Sequence, residues 1–291
     1  MLLSACSGAG QTAVPHTTSN AANNLHPMDT SIICPPNEMT TCGGCPPGDQ
    51  CPPPYTPTPS PAPDVAVGGN GDVWVQNGAQ LYQSTNSGAS FTPISGSAVD
   101  IAGDPAGNLW AANSAYSIYK WNGSAWQSMP GQASDIAIGG NGTVWALSPT
   151  CSSSAGGCSI YRSTDGGQTY TQIPGYAKSI SADANGNAWI TNDSGLIYYY
   201  NGSSFTQVSG TGSDIAVAPN GTVWVLSNSG CNSAGCGIWY STNKGASFTQ
   251  VSGSAVDIAV DANNIPWVMN AAGNLYKATD ATASGWTAVP F

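Results

Sequence analysis

From residue 64 onward the sequence repeats one unit six times, and this periodicity restricts the possible folds more than any other feature of the chain. Asp64-Val65-Ala66-Val67 followed by Asn70-Gly71-Asp72-Val73-Trp74 recurs as Asp135-Ile136-Ala137-Ile138 with Asn141-Gly142-Thr143-Val144-Trp145. It recurs again as Asp214-Ile215-Ala216-Val217 with Asn220-Gly221-Thr222-Val223-Trp224. Looser copies begin at Asp100, Ser179 and Asp257 and carry Trp110, Trp189 and Trp267. The tryptophans are spaced 36, 35, 44, 35 and 43 residues apart, which leaves six units of about 35 residues once two insertions are set aside.

Each unit reads as four short strands, A to D, separated by turn residues. Strand A is the Asp-Ile-Ala-Val type, and Asn-Gly forms a hairpin turn into strand B, which carries the tryptophan. Strand C centres on Tyr82, Tyr119, Tyr161, Tyr198, Trp239 or Tyr276, and strand D on Phe91, Trp126, Tyr170, Phe205, Phe248 or Trp286. Four antiparallel strands of this length cannot bury both faces alone. Residues 64–291 are therefore expected to be all-β, a six-bladed β-propeller of four-stranded antiparallel blades. The chain enters on strand A and leaves on strand D, so the ring is expected to close without exchanging a strand between its ends. Composition agrees: 36 Gly and 21 Pro among 291 residues oppose helix, while 41% hydrophobic residues suffice for a core.

The stretch from Asp135 through Trp145, Ile160-Tyr161 and Ile173-Pro174-Gly175 resembles a tectonin repeat, and the resemblance extends over 64–291. It implies a six-bladed propeller, often a lectin of innate immunity or fungal defence. Units one, three and five are also similar to the Asp-box of bacterial neuraminidase repeats, with Ser163-Thr164-Asp165-Gly166-Gly167-Gln168-Thr169-Tyr170 the best copy and Asn86 and Asn243 in the acid's place. This box is a turn device, in which a short polar side chain bonds backbone amides of the C–D hairpin. A sialidase site would need an arginine triad and a Tyr–Glu pair, whereas the propeller has one arginine, Arg162, and no glutamate.

The amino-terminal segment is of another kind. Leu3-Ser4-Ala5-Cys6 resembles the lipobox of a bacterial lipoprotein, which implies lipidation of Cys6, although no basic region precedes it and the apolar stretch is shorter than a signal peptide, so the start codon is expected further upstream. Residues 1–6 are thus read as a signal remnant and 7–63 as a disordered tether rich in Pro and Cys, expected to stand the propeller off its anchor in extended polyproline geometry. Setting Cys6 aside leaves eight cysteines: Cys34, Cys42, Cys45 and Cys51 in the tether, and the local pairs Cys151 with Cys158 and Cys231 with Cys236. An even set in local groups predicts disulfides and an extracytoplasmic location at the cell envelope or surface. A four-cysteine metal site in the tether is the alternative reading of its quartet.

Five Lys and Arg against 15 Asp and Glu give a net charge of −10, which excludes nucleic acid as partner and leaves a membrane reachable only through the lipid anchor. His16, His26 and Glu38 all precede the repeats, so the propeller lacks the residues of a His-based triad or a glutamate general acid. No catalytic residue, cofactor or metal is expected. Strand parity places the tight A–B and C–D turns on one face and the variable B–C and D–A loops, including both cysteine insertions, on the other. That second face is the expected site, with Tyr116, Tyr176, Lys178 and Trp239 as candidate ligand-binding residues. Neutral loops with scattered aromatics suit a neutral glycan, and a cell-surface protein bound by the same face is the alternative. Two further groups have double readings. The strand-A acids Asp64, Asp100, Asp135, Asp214 and Asp257 cap neighbouring amides or hold Ca²⁺ at the channel mouth. Trp121, Tyr199 and Tyr200 pack at the blade edge or stack on a ligand.

Overall fold

The computed structural model describes residues 62–291, which form six four-stranded antiparallel sheets and, among the described residues, no helix. Blade one is β1 (Asp64–Val67), β2 (Val73–Asn77), β3 (Gln80–Ser84) and β4 (Thr92–Ile94); blade two is β5 (Asp100–Gly103), β6 (Leu109–Ala112), β7 (Ser117–Trp121) and β8 (Trp126–Gln132). Blade three is β9 (Asp135–Ile138), β10 (Val144–Ser152), β11 (Gly157–Ser163) and β12 (Thr171–Ala177); blade four is β13 (Ser179–Ala182), β14 (Ala188–Thr191), β15 (Leu196–Tyr200) and β16 (Phe205–Thr211). Blade five is β17 (Asp214–Val217), β18 (Val223–Leu226), β19 (Cys236–Ser241) and β20 (Thr249–Ala255); blade six is β21 (Asp257–Val260), β22 (Pro266–Met269), β23 (Leu275–Ala278) and β24 (Trp286–Val289). Every blade is built from consecutive strands, so closure exchanges none. The residues read as a lipobox with Cys6, nearly all of the segment read as a tether and its four cysteines lie outside the described residues.

The innermost strands alternate a large and a small residue for a steric reason. Ala66, Ala102, Ala137, Ala216 and Ala259, with Ser181 in blade four, pair directly with Trp74, Trp110, Trp145, Trp224, Trp267 and Trp189. A small side chain opposite each indole lets the ring lean into the next blade, and all six indoles are buried. Trp74, for instance, shares a cluster with Ile101, Leu109 and Ala111 of blade two. Full burial of such a side chain contributes on the order of 3 kcal/mol or more before entropy is counted.

The odd-numbered blades end strand C in a Ser-x-Asp/Asn turn, and the structure shows why. Asp165 Oδ1 accepts hydrogen bonds from the amides of Gln168 (3.1 Å) and Thr169 (3.0 Å), while Ser163 Oγ accepts one from the Gly167 amide at 2.8 Å. Asn86 and Asn243 accept the equivalent bond from Ser90 and Ser247, each at 3.0 Å. The turn glycine then receives the tryptophan of the preceding blade. A Cβ on Gly88 would lie 2.5 Å from the Trp267 ring and one on Gly167 2.8 Å from Trp110, and both residues have positive φ (84° and 83°).

Candidate functional site

Three places on the propeller gather chemistry: the channel mouth, the loop face and the clefts between blades. At the channel mouth the five strand-A acids form a hydrogen-bonded belt. Asp64 Oδ2 accepts from the Ile101 amide (2.9 Å), Asp100 from Ile136 (2.9 Å), Asp135 from Ile180 (3.1 Å) and Asp257 from Val65 (2.7 Å). Each of these four acids therefore ties its blade to the next, and the capping role holds for them. Ser179, which interrupts the series, donates its hydroxyl to Asp214 Oδ1 at 2.7 Å. Burial, reinforced by neighbouring carboxylates, pushes Asp64 up to about 7 and Asp100, Asp135 and Asp257 well above the usual carboxylate range. Burial also raises Asp214, to about 6, with Ser179, backbone amides and Lys178 pulling the other way. The channel itself is a cavity of about 170 Å³ lined by the six innermost strands.

On the loop face the predicted bridges Cys151–Cys158 and Cys231–Cys236 are both present, with Cα atoms 4.0 and 4.1 Å apart. Disulfides of this kind mark an oxidising compartment. Tyr116, in the β6–β7 loop with φ 62°, and Tyr176, near the end of β12, are 39% and 44% exposed, the two most accessible aromatic side chains among the described residues. Lys178, exposed, is the single residue between β12 and β13. Trp239 does not join them. It sits in the middle of β19, paired with Val225 and Gln250, and packs half-buried in the cluster that holds Trp189, Ile197 and Phe248.

The remaining aromatic residues outside the sixfold pattern serve packing. Trp121 and Tyr200 are buried, and Tyr199 lies 4.8 Å from Trp189, centroid to centroid. The cations of strand C are used the same way. Lys120, Arg162 and Lys277 lie over the Trp110, Trp145 and Trp267 rings at 5.1, 5.5 and 4.6 Å, and Lys120 also reaches Asp104 at 2.8 Å.

The clefts between blades are the feature that strand-by-strand reading of the sequence missed. Between blades one and two a groove of about 300 Å³ has Tyr119 and Trp126 as walls, Ala111 as floor and Ser97, Asn113 and Ser114 as rim. Between blades two and three a groove of about 490 Å³ repeats the plan, with Tyr161 and Tyr170 as walls, Ala146 and Ile118 below and Gln132, Ser148 and Pro149 above. Gly96 and Gly131, both at positive φ (121° and 92°), edge the two grooves at equivalent places in their units. The Trp126 wall is held on two sides. Trp126 Nε1 donates to the Ser95 carbonyl across the blade boundary at 2.7 Å, and its ring lies 5.2 Å from Trp121. No charged side chain lines either groove. The available signal was the recurrence of an aromatic on strands C and D of every unit, which sequence reasoning assigned to the fold.

A tectonin domain model matches residues 61–230. No curated protein matches the chain in sequence. Among solved structures, a chain of a mitotic checkpoint complex superposes with a TM-score of 0.51 at 10% identity, with 77% of each chain covered. YCF48 bound to a D1 peptide gives 0.49 at 16% identity, covering 79% of this chain and 83% of that one, and YCF48 from Cyanidioschyzon merolae gives 0.47 at 14%, covering 80% and 87%. At these identities the likeness is one of fold.

Proposed function

Because the chain belongs to the tectonin family, whose propellers are generally non-enzymatic, we propose that it is a non-catalytic binding protein that takes neutral glycans into the grooves between its blades. The observation that carries this reading is the repetition of one groove plan, two aromatic walls under an uncharged hydroxyl and amide rim, at two successive blade boundaries. A pyranose offers C–H groups to such walls and hydroxyls to such a rim, and the cavity sizes fall in the range of small-ligand sites. Each contact is weak, so useful strength comes from several grooves engaging one clustered glycan.

The test is a glycan array probed with the full chain, followed by Tyr119→Ala and Tyr161→Ala. Binding to clustered glycans that falls with either substitution and changes little with salt supports the reading, and an empty array rejects it. A protein partner is the second reading, favoured by the exposed Tyr116 and Tyr176 on the loop face, since tyrosine is enriched at interfaces. It predicts a crosslinked partner that is lost with those two residues or with the 151–158 loop.

We further place the protein at the cell envelope or surface, held there through lipid on Cys6. The two disulfides support an oxidising location. A Cys6→Ser protein that stays in the membrane fraction would reject the anchor.

A further inference from the structure

We infer that the cleft between blade six and blade one is a further ring-binding groove of the same build, occupied in this chain by its own Phe291. The inference rests on the groove reading above and adds a site to it.

The first support is register. Five residues after the strand-D aromatic, the first five units place a glycine at positive φ: Gly96, Gly131, Gly175, Gly210 and Gly253, with φ of 121°, 92°, 137°, 84° and 113°. The sixth unit places Phe291 there, five residues after Trp286. A side chain at the glycine position is aimed across the blade boundary. Cβ atoms built on Gly96, Gly175 and Gly253 would lie 3.1, 3.3 and 3.3 Å from Trp126, Phe205 and Trp286, the strand-D aromatics of the following blades.

The second support is contact. The following blade for Phe291 is blade one, and its ring lies 5.4 Å from Tyr82 and 5.8 Å from Phe91, centroid to centroid. Those two residues are the counterparts of Tyr119 and Trp126 in the first groove and of Tyr161 and Tyr170 in the second. Both contacts are edge-on, with interplanar angles of 67° and 62°, so C–H groups of one ring meet the π face of the other. A pyranose makes the same kind of contact through its axial C–H groups. Phe291 thus points to the class of occupant the two walls suit: an uncharged ring that presents C–H groups. Position 77, three residues after the blade tryptophan, is Asn77, in register with Asn113, which lines the groove of blade two.

The third support is that the plug is lightly held. Val289, paired with Leu275, is the last residue in the sheet, and Phe291 remains 36% exposed. Substituting it removes a ring and two edge contacts and leaves the β24 ladder in place.

The experiment titrates phenyl β-D-glucopyranoside, which carries both a pyranose and an aryl ring, against the full wild-type chain and full-length Phe291→Gly, with bound equivalents counted by equilibrium dialysis. Phe291→Gly restores the residue of the other five units and is expected to bind one more equivalent than wild type. Adding Tyr82→Ala should remove that equivalent and no other. Phe291→Ser, checked by thermal melting, serves if the glycine variant is unstable. One extra equivalent supports the inference even if the wild type binds none, in which case the reading of the open grooves fails alone. Equal stoichiometry in wild type and variant, with the wild type binding, overturns the latent groove alone. Absence of binding in both overturns the two together.

Discussion

The carboxylate of Asp257 accepts a 2.7 Å hydrogen bond from the amide of Val65, 192 residues earlier in the chain. No strand spans the two ends of this propeller, so blade six is held to blade one by that bond, by the Trp267 ring against Gly88 and by the cluster that packs Val65, Val73 and Val75 with Trp267, Met269 and Leu275. The same carboxylate-to-amide bond recurs at three further blade boundaries.

Stability should fall as pH rises through neutrality. The belt acids bind protons more tightly folded than unfolded, with Asp64 raised from 3.8 to about 7 and Asp214 from 3.8 to about 6. Their contribution is fully present below the unfolded value near 3.8 and is lost progressively as pH rises through the folded values. Thermal melts between pH 4.5 and 8.5 should show the midpoint dropping across pH 6–7, and Asp64→Asn should flatten that dependence. A midpoint that rises with pH over this window would contradict the assignment.

Gly88→Ala should destabilise the fold at the closing boundary. The added Cβ meets the Trp267 ring 2.5 Å away at a φ of 84°, so overpacking alone costs about 1–3 kcal/mol. Gly142→Ala, also at positive φ but with open space around it, should cost less. Urea unfolding of the two variants compares the terms directly.

Loss of either loop disulfide should be mild. Cys151 and Cys158 are seven residues apart and Cys231 and Cys236 five, so each closes a short loop and contributes at most about 2 kcal/mol, the low end for disulfides. The double Cys→Ser variant of each pair should keep a native circular dichroism spectrum and a slightly lower urea midpoint. Peptide mapping without reduction should recover both bridges in the parent protein.

Groove and loop-face substitutions should separate the two binding readings. Tyr119→Ala removes a groove wall and should lower affinity for a clustered glycan about tenfold or more, since several weak contacts act together. Tyr176→Ala, on the loop face, should leave glycan binding unchanged. The reverse pattern would move the site to that face. Groove binding should vary little between 50 and 500 mM salt, because no charged side chain lines the grooves.

The sixfold phrase by itself determined the architecture. Asp-Ile-Ala-Val, Asn-Gly and Val-Trp specify two strands and a turn through local chemistry, and their repetition leaves radial packing as the way to bury six indoles. The local cysteine pairs and the polar turns at Asp165, Asn86 and Asn243 were legible for the same reason, since all their partners lie within a few residues. Tertiary structure decided what depends on the neighbouring blade. Nothing local distinguishes the capping acid Asp257 from a free one until Val65 arrives beside it, and Trp239 reads like the exposed Tyr176 until Phe248 and Trp189 share its cluster. The grooves follow the same logic: Tyr119 and Tyr161 belong to repeated strands, and they become groove walls where Gly96 and Gly131 of the preceding blade lie across from them, whereas Phe291 takes that place beside Tyr82.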